Sequence, residues 1–126
     1  MLNESKKILH SRYLKVNCTC VRVPIFRSHS ESITIETAKK ITPQKAKELL
    51  SKAKGVKVVD NPAKFKYPMP LDTTEQDLVF VGRIREDISA KNSLTLFCAG
   101  DQLRKGAATN AVQIAELVLK NLKEKK

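Results

Sequence analysis

Apolar residues recur along this chain with two different periods, and the switches between them mark out its elements. NESKKILHS (3–11) follows the helical period but has no capping residue ahead of it. RYLKVNCTCVRV (12–23) changes to alternation, is rich in valine and threonine, and predicts a strand that Pro24 stops. ESITIETA (31–38) predicts a second strand, with Ile33 and Ile35 on one face. Thr42 and Pro43 then open a helix, threonine as its cap and proline where a missing N–H costs nothing. Ala46, Leu49 and Leu50 form its apolar stripe, and Gly55 closes it.

VKVVD (56–60) predicts a short strand. NPAKFKYPMPLDTT (61–74) holds three prolines, cannot sustain a ladder, and predicts an irregular excursion. DLVFVGRI (77–84) and SLTLFCAG (93–100) predict two further strands. A helix over about 103–124 ends the pattern, with Val112, Ala115, Leu119 and Leu122 on one face and Ile114, Leu117 and Val118 flanking it. The fold class that follows is α+β: a mixed or antiparallel sheet with flanking helices and a long C-terminal helix. That last helix is apolar over more than one face, which predicts a partner surface beyond the sheet. With the uncapped first turn, it makes residues 1–126 read as one incomplete domain.

Composition narrows the function classes. Of 126 residues, 41% are hydrophobic and 29% charged, an ordinary globular balance that predicts a single modest core. No apolar run reaches the length of a membrane helix, and the N-terminus does not read as a signal peptide. The expectation is therefore no membrane partner. Three cysteines, without a spaced Cys/His cluster, argue against a disulfide framework or a metal site and for a reducing, cytoplasmic setting. In that setting the Asn17-Cys18-Thr19 sequon has no meaning. The net charge of +11 raises nucleic-acid binding, but the lysines lie on predicted helix faces without interleaved aromatics or tryptophan. A solvated lysine surface, with no nucleic-acid partner, is the expectation.

Candidate chemistry concentrates in VNCTCVRVPIFRSHSES (16–32) and CAGDQLRKGAATNAVQIAE (98–116). Cysteine in a strand is usually a small buried hydrophobe, and Cys18, Cys20 and Cys98 are all read that way. His29 is predicted in a polar loop between Ser28 and Ser30, where an imidazole can serve as an acid–base. Arg22, seven residues earlier, either holds a substrate carboxylate in bidentate fashion or pairs on the surface with Glu31. Spacing leaves both readings open. Gly106-Ala107-Ala108 leaves the start of the last helix uncovered for close approach, although no phosphate-binding glycine motif is present.

CVRVPIFRSHSES, LVFVGRIRED and GDQLRKGAATNAVQIAE, with YPMPLD between the first two, together resemble the C-terminal portion of bacterial aspartate-semialdehyde dehydrogenase. The resemblance runs through essentially the whole chain in the family's order. It implies a partial C-terminal catalytic and dimerisation domain of the aspartate-semialdehyde and glyceraldehyde-3-phosphate dehydrogenase type. About 101–126 would then form a helix returning to an N-terminal NADP-binding domain. It implies the interconversion of L-aspartyl 4-phosphate plus NADPH with L-aspartate 4-semialdehyde, phosphate and NADP⁺, on the route to lysine, methionine, threonine and diaminopimelate. By matched position, Arg22 would bind the substrate's α-carboxylate, His29 would be the acid–base, and Gln102 would contact NADP. The family's nucleophilic cysteine, Rossmann domain and phosphate-binding lysine precede the matched region, and Cys18 and Cys20 do not occupy the nucleophile's position. The chain alone is therefore expected to be inactive, and to act as a homodimer or with an N-terminal half. The alternative is a non-catalytic dimerisation module that pairs with a full-length subunit.

Overall fold

The computed structural model describes residues 2–13 and 19–124. In chain order these build helix α1 (Leu2–Ile8), strand β1 (His29–Glu36), helix α2 (Pro43–Lys52) and strand β2 (Val56–Val58). There follow a 3-10 turn (Pro62–Lys64), a short helix α3 (Pro70–Thr73), and strands β3 (Val79–Glu86) and β4 (Ser93–Gly100). A π-helical turn (Arg104–Ala108) then leads into helix α4 (Thr109–Glu124). The strands form one mixed sheet in the order β1-β4-β3-β2, antiparallel except for the parallel β2–β3 pair.

Helix α2 forms where its punctuation predicts. Thr42 accepts from the Lys45 N–H at 3.2 Å, and Pro43 occupies the first turn. The helix ends at Ala53, two residues before Gly55, whose φ of 77° reverses the chain into β2. Ala46 and Leu50 pack against Val56, Val58, Val79, Val81, Ile84, Leu94 and Leu96, and this is the core. Leu49 remains half exposed. The α2 stripe thus covers β2 and β3, not β1, where Ile35 is 40% exposed.

Strand β3 is apolar on both faces because both are covered. Val79 and Val81 face α2, while Phe80 and Gly82 face the chain that leaves β2. An alanine-sized side chain at Gly82 would sit 2.1 Å from the Val59 carbonyl oxygen and 2.6 Å from Pro68 Cδ. That excursion therefore crosses the sheet in contact with the β3 backbone, with its Pro68 fully buried against Gly82. Directly after Gly82 the β3–β4 register slips. Arg83 takes a φ of 55°, and Asp60 accepts the N–H groups of Arg83 and Ile84 at 3.0 and 3.3 Å.

Several expectations change. Residues 14–18 of the predicted 12–23 strand lie outside the described residues, and 19–23 run as exposed irregular chain rather than a strand. The valines and threonine before Pro24 gave a strand pattern, but among the described residues no strand pairs with 19–23. Strand β1 begins at His29, not 31, because Gly100 of β4 is there to pair with it. The first helix is shorter than its pattern, and the last one opens with a π turn. The 61–74 excursion is irregular as expected, apart from its two short helical turns.

Candidate functional site

The β1–β4 ladder ends at the pair His29↔Gly100, and the residues just past that end converge. Ser28 and Glu75 both adopt left-handed backbone, with φ of 84° and 63°. Such conformations persist in non-glycine residues only where surrounding contacts hold them. Two consecutive side chains do so here. Gln102 Oε1 accepts the Ser28 N–H at 2.7 Å, and Asp101 Oδ2 accepts the Glu75 N–H at 2.8 Å.

Asp101 is fully buried and charged. Its Oδ1 accepts the N–H groups of Leu103 and Arg104 at 2.9 and 3.2 Å, capping the chain where the last helical segment starts. Its Oδ2 also lies 2.8 Å from Arg27 Nε. The Nε–H does not point along that contact, so charge rather than an aligned hydrogen bond joins the pair. Burial by itself would raise the Asp101 pKa. The backbone donors of Glu75, Leu103 and Arg104, with the Arg27 charge, outweigh it and hold the carboxyl below its usual value. Arg27 also reaches Glu75 Oε1 at 3.3 Å.

Hydroxyls complete the junction. Buried Thr73 donates to Ser28 Oγ at 3.0 Å, and Thr74 Oγ1 lies 3.3 Å from the same atom. Below it, Arg104 grips Asp77 in bidentate fashion, Nε to Oδ1 at 2.7 Å and Nη2 to Oδ2 at 2.9 Å. Thr109 donates to Asp77 Oδ1 as well, at 3.1 Å. The Arg104 hydrogen bonds are the main cause that lowers the Asp77 pKa. Three segments (27–29, 73–77 and 101–109) thereby form one junction.

Of the predicted site residues, the structure brings His29 and Gln102 together, through Ser28. His29 is exposed and occupies the first position of β1 rather than a loop. Arg22 lies on exposed irregular chain. Among the described residues it makes no ion pair or hydrogen bond, so the surface pairing with Glu31 is not present. Cys20 is exposed, contrary to the buried-hydrophobe expectation, and Cys18 lies outside the described residues. Cys98 is partly buried on the core face. Burial, reinforced by the Glu31 charge, pushes its thiol pKa up. Among the described residues no cluster of His, Cys, Asp and Glu could hold a metal ion. No described helix is long and apolar enough to cross a membrane.

Asp101, Arg27, Thr73 and Glu75 were not singled out by sequence reasoning. The one signal available was Gly100-Asp101 ahead of a helix, an N-cap pattern that also places an acid beside Gln102.

Comparison with known proteins sets this junction in context. The family model described as semialdehyde dehydrogenase, dimerisation domain, matches residues 1–105. The chain is 53% identical over 120 residues to an aspartate-semialdehyde dehydrogenase of Aquifex aeolicus, covering 95% of this chain and 35% of that protein. It is 55% identical over 123 residues to the enzyme of that name from Campylobacter jejuni, covering 96% and 36%. Among solved structures, aspartate semialdehyde dehydrogenase II of Vibrio cholerae, complexed with ASA, superposes with a TM-score of 0.83 at 39% identity, over 95% of this chain and 35% of that one. The enzyme from Francisella tularensis gives 0.76 at 33% identity, over 91% and 33%. The chain thus spans about a third of the length of the curated relatives it matches. It belongs to the semialdehyde dehydrogenase family and corresponds to the C-terminal, dimerisation-domain portion of an aspartate-semialdehyde dehydrogenase.

Proposed function

We propose that this chain supplies the substrate-facing half of an NADP-dependent aspartate-semialdehyde dehydrogenase site. The observation that carries the reading is the 2.7 Å bond from the Ser28 N–H to Gln102 Oε1, which holds a histidine segment and an amide at one sheet end. The exposed His29 imidazole would move protons for an attacking thiol supplied by polypeptide outside this chain. Arg22, exposed and without a partner among the described residues, has its guanidinium fork available for the α-carboxylate of an acidic aldehyde.

Gln102 fits a contact with NADP. The Ser28 N–H can only donate, so it fixes the orientation of the amide and commits its oxygen. The nitrogen makes no hydrogen bond among the described residues and keeps both donors available. NADP, when bound, would take up the hydride as the aldehyde is oxidised to the acyl level. Phosphate would then attack the acyl carbon, forming the C–O bond of the acyl phosphate as the C–S bond breaks, and His29 would return its proton to the departing sulfur.

The test joins this chain to the N-terminal portion of the Campylobacter jejuni enzyme and follows NADPH formation from the aldehyde, phosphate and NADP. The expected outcome is no activity from the chain alone and activity from the joined protein. His29→Ala should lower the latter by about 10²–10⁴-fold, the range for a positioned acid–base. Turnover by the chain alone, or full activity of His29→Ala, would refute the reading. The dimerisation-domain match favours a second component of the same reading, self-association. A dimer by sedimentation equilibrium is expected, and a monomer at every accessible concentration would refute that component.

A further inference from the structure

We propose that Asp101 is a positioning residue of this site, whose carboxylate sets the approach of the His29 segment to Gln102. The proposal rests on the functional reading of His29 and Gln102 given above. Asp101 meets all three segments of the junction at once. Oδ1 takes the Leu103 and Arg104 N–H groups, so the backbone that carries Gln102 is anchored. Oδ2 takes the Glu75 N–H and the charge of Arg27, two residues from His29. The division of labour between the two oxygens is what makes the residue more than a helix cap.

The strained backbone points the same way. Ser28, at φ 84°, immediately precedes His29, and Glu75, at φ 63°, lies across the junction. Left-handed residues of this kind are held by the contacts around them and relax when those restraints go. The Ser28 restraints are Gln102 on its N–H and Thr73 and Thr74 on its hydroxyl. Both threonines belong to the segment that Asp101 ties through Glu75. Releasing Oδ2 therefore loosens Ser28 from two directions: through Arg27 along the chain, and through Thr73 and Thr74 across it.

Asp101→Asn tests this selectively because it is isosteric. Every partner of the carboxylate is an N–H donor, so an amide can satisfy one side only. With its oxygen toward Leu103 and Arg104 the cap survives, and an NH2 group then opposes Glu75 N–H and Arg27. Turned the other way, the cap is lost and the Gln102 backbone is freed instead. Either orientation uncouples the two segments.

The first arm measures amide hydrogen exchange on the full chain. Ser28 protection should fall by about 10-fold or more in Asp101→Asn, with the Val59 N–H, bonded to Val81 O at 2.8 Å, unchanged. Arg27→Ala, which spares the cap, should lower Ser28 protection in the same direction and covers the case in which the asparagine variant does not fold. No change at Ser28, or an equal loss at Ser28 and Val59, would overturn the proposal. The second arm uses the joined enzyme. There Asp101→Asn should cut kcat and raise the KM for NADP, with kcat/KM falling by about 10²-fold, the cost of a misplacement near 1 Å. If His29→Ala retains activity, the functional reading and the positioning role fail together. If His29→Ala abolishes turnover while Asp101→Asn keeps wild-type kcat and KM, the positioning role alone fails.

Discussion

Replacing Gly82 with alanine should destabilise this fold, whereas the same change at Gly106 should not. At Gly82 a new Cβ would lie 2.1 Å from the Val59 carbonyl oxygen and 2.6 and 2.9 Å from Pro68 Cδ and Cγ. Real Cβ contacts stay beyond 3.0 Å, so the Val59 carbonyl must retreat by about 0.9 Å. No rotamer change can provide that, because the obstacle is backbone and the ring beside it is buried. Overpacking of this kind costs about 1–3 kcal/mol. Moving Val59 also strains its N–H bond to Val81 O, worth about 0.5–1.5 kcal/mol net. The reduced freedom of the unfolded chain returns about 0.4–1 kcal/mol.

The balance is a loss of about 0.5–4 kcal/mol, centred near 2, or roughly 8 °C in Tm at about 4 °C per kcal/mol for a domain of this size. At Gly106 the nearest atom to a new Cβ is Gln102 Cβ at 3.6 Å, an ordinary contact. Alanine's helix propensity there should raise Tm by about 2–4 °C, from a gain of about 0.5–1 kcal/mol. Thermal melts followed by circular dichroism on the three proteins decide the matter. A Gly82→Ala melt within about 2 °C of wild type would show that the excursion does not rest on β3. Equal losses for both variants would mean that glycine content, not the contact at Gly82, sets the cost.

Other outcomes follow from the same structure. Leu94→Ala, at a 2% exposed core position, should cost about 2–5 kcal/mol in urea unfolding, and a loss under about 1 kcal/mol would place the core elsewhere. Stability should be flat from pH 7 down to about 5 and fall as pH drops through the unfolded carboxylate value near 4. The sign follows because Arg104 depresses the Asp77 pKa and the Ser89 hydroxyl depresses that of Asp87, so the folded chain binds fewer protons than the unfolded one. Melts across that range check it: Asp77→Asn should flatten the acid limb, and a transition centred near pH 6.5 would instead implicate histidine. Cys98 should resist alkylation at neutral pH in the folded chain and react in urea, because burial raises its thiol pKa. Rapid native labelling, located by mass spectrometry, would contradict its placement on the core face.

Most of the fold was legible because it is written in local chemistry. The Thr42–Pro43 start of α2, the apolar runs of β3 and β4, and the proline-rich excursion each follow from residues near one another in the chain. At 19–23, the described end of the predicted 12–23 strand, irregular chain replaces it for a non-local reason. Val21 and Val23 alternate as strand residues do, yet they are 71% and 55% exposed, and among the described residues no strand pairs with them. The candidate site divides along the same line. His29 and Gln102 could be named from motifs, but their proximity depends on a pairing 71 residues apart between β1 and β4. Asp101 escaped notice because an acid ahead of a helix is ordinarily a cap. Only the fold adds Arg27 and Glu75 to its second oxygen.

That pairing also explains how so exposed a strand can place the candidate residue His29. Strand β1 has one neighbour and little core cover, so a slip of two residues would keep each side chain on its own face while moving His29 away from Gln102. The strand interior resists slippage only modestly, through Ile33 and Ile35 against Leu96 and Leu94 and the Thr34–Thr95 hydroxyl pair at 3.3 Å. Its ends are fixed more firmly. At one, the Thr37 N–H and hydroxyl both donate to Asn92 O, each at 3.1 Å. At the other, Asp101 and Gln102 reach over to Arg27 and Ser28. The same two side chains that position the candidate site thus also close the register of its edge strand, so loosening them disturbs His29 twice: by freeing the backbone before it, and by weakening the pairing that begins with it.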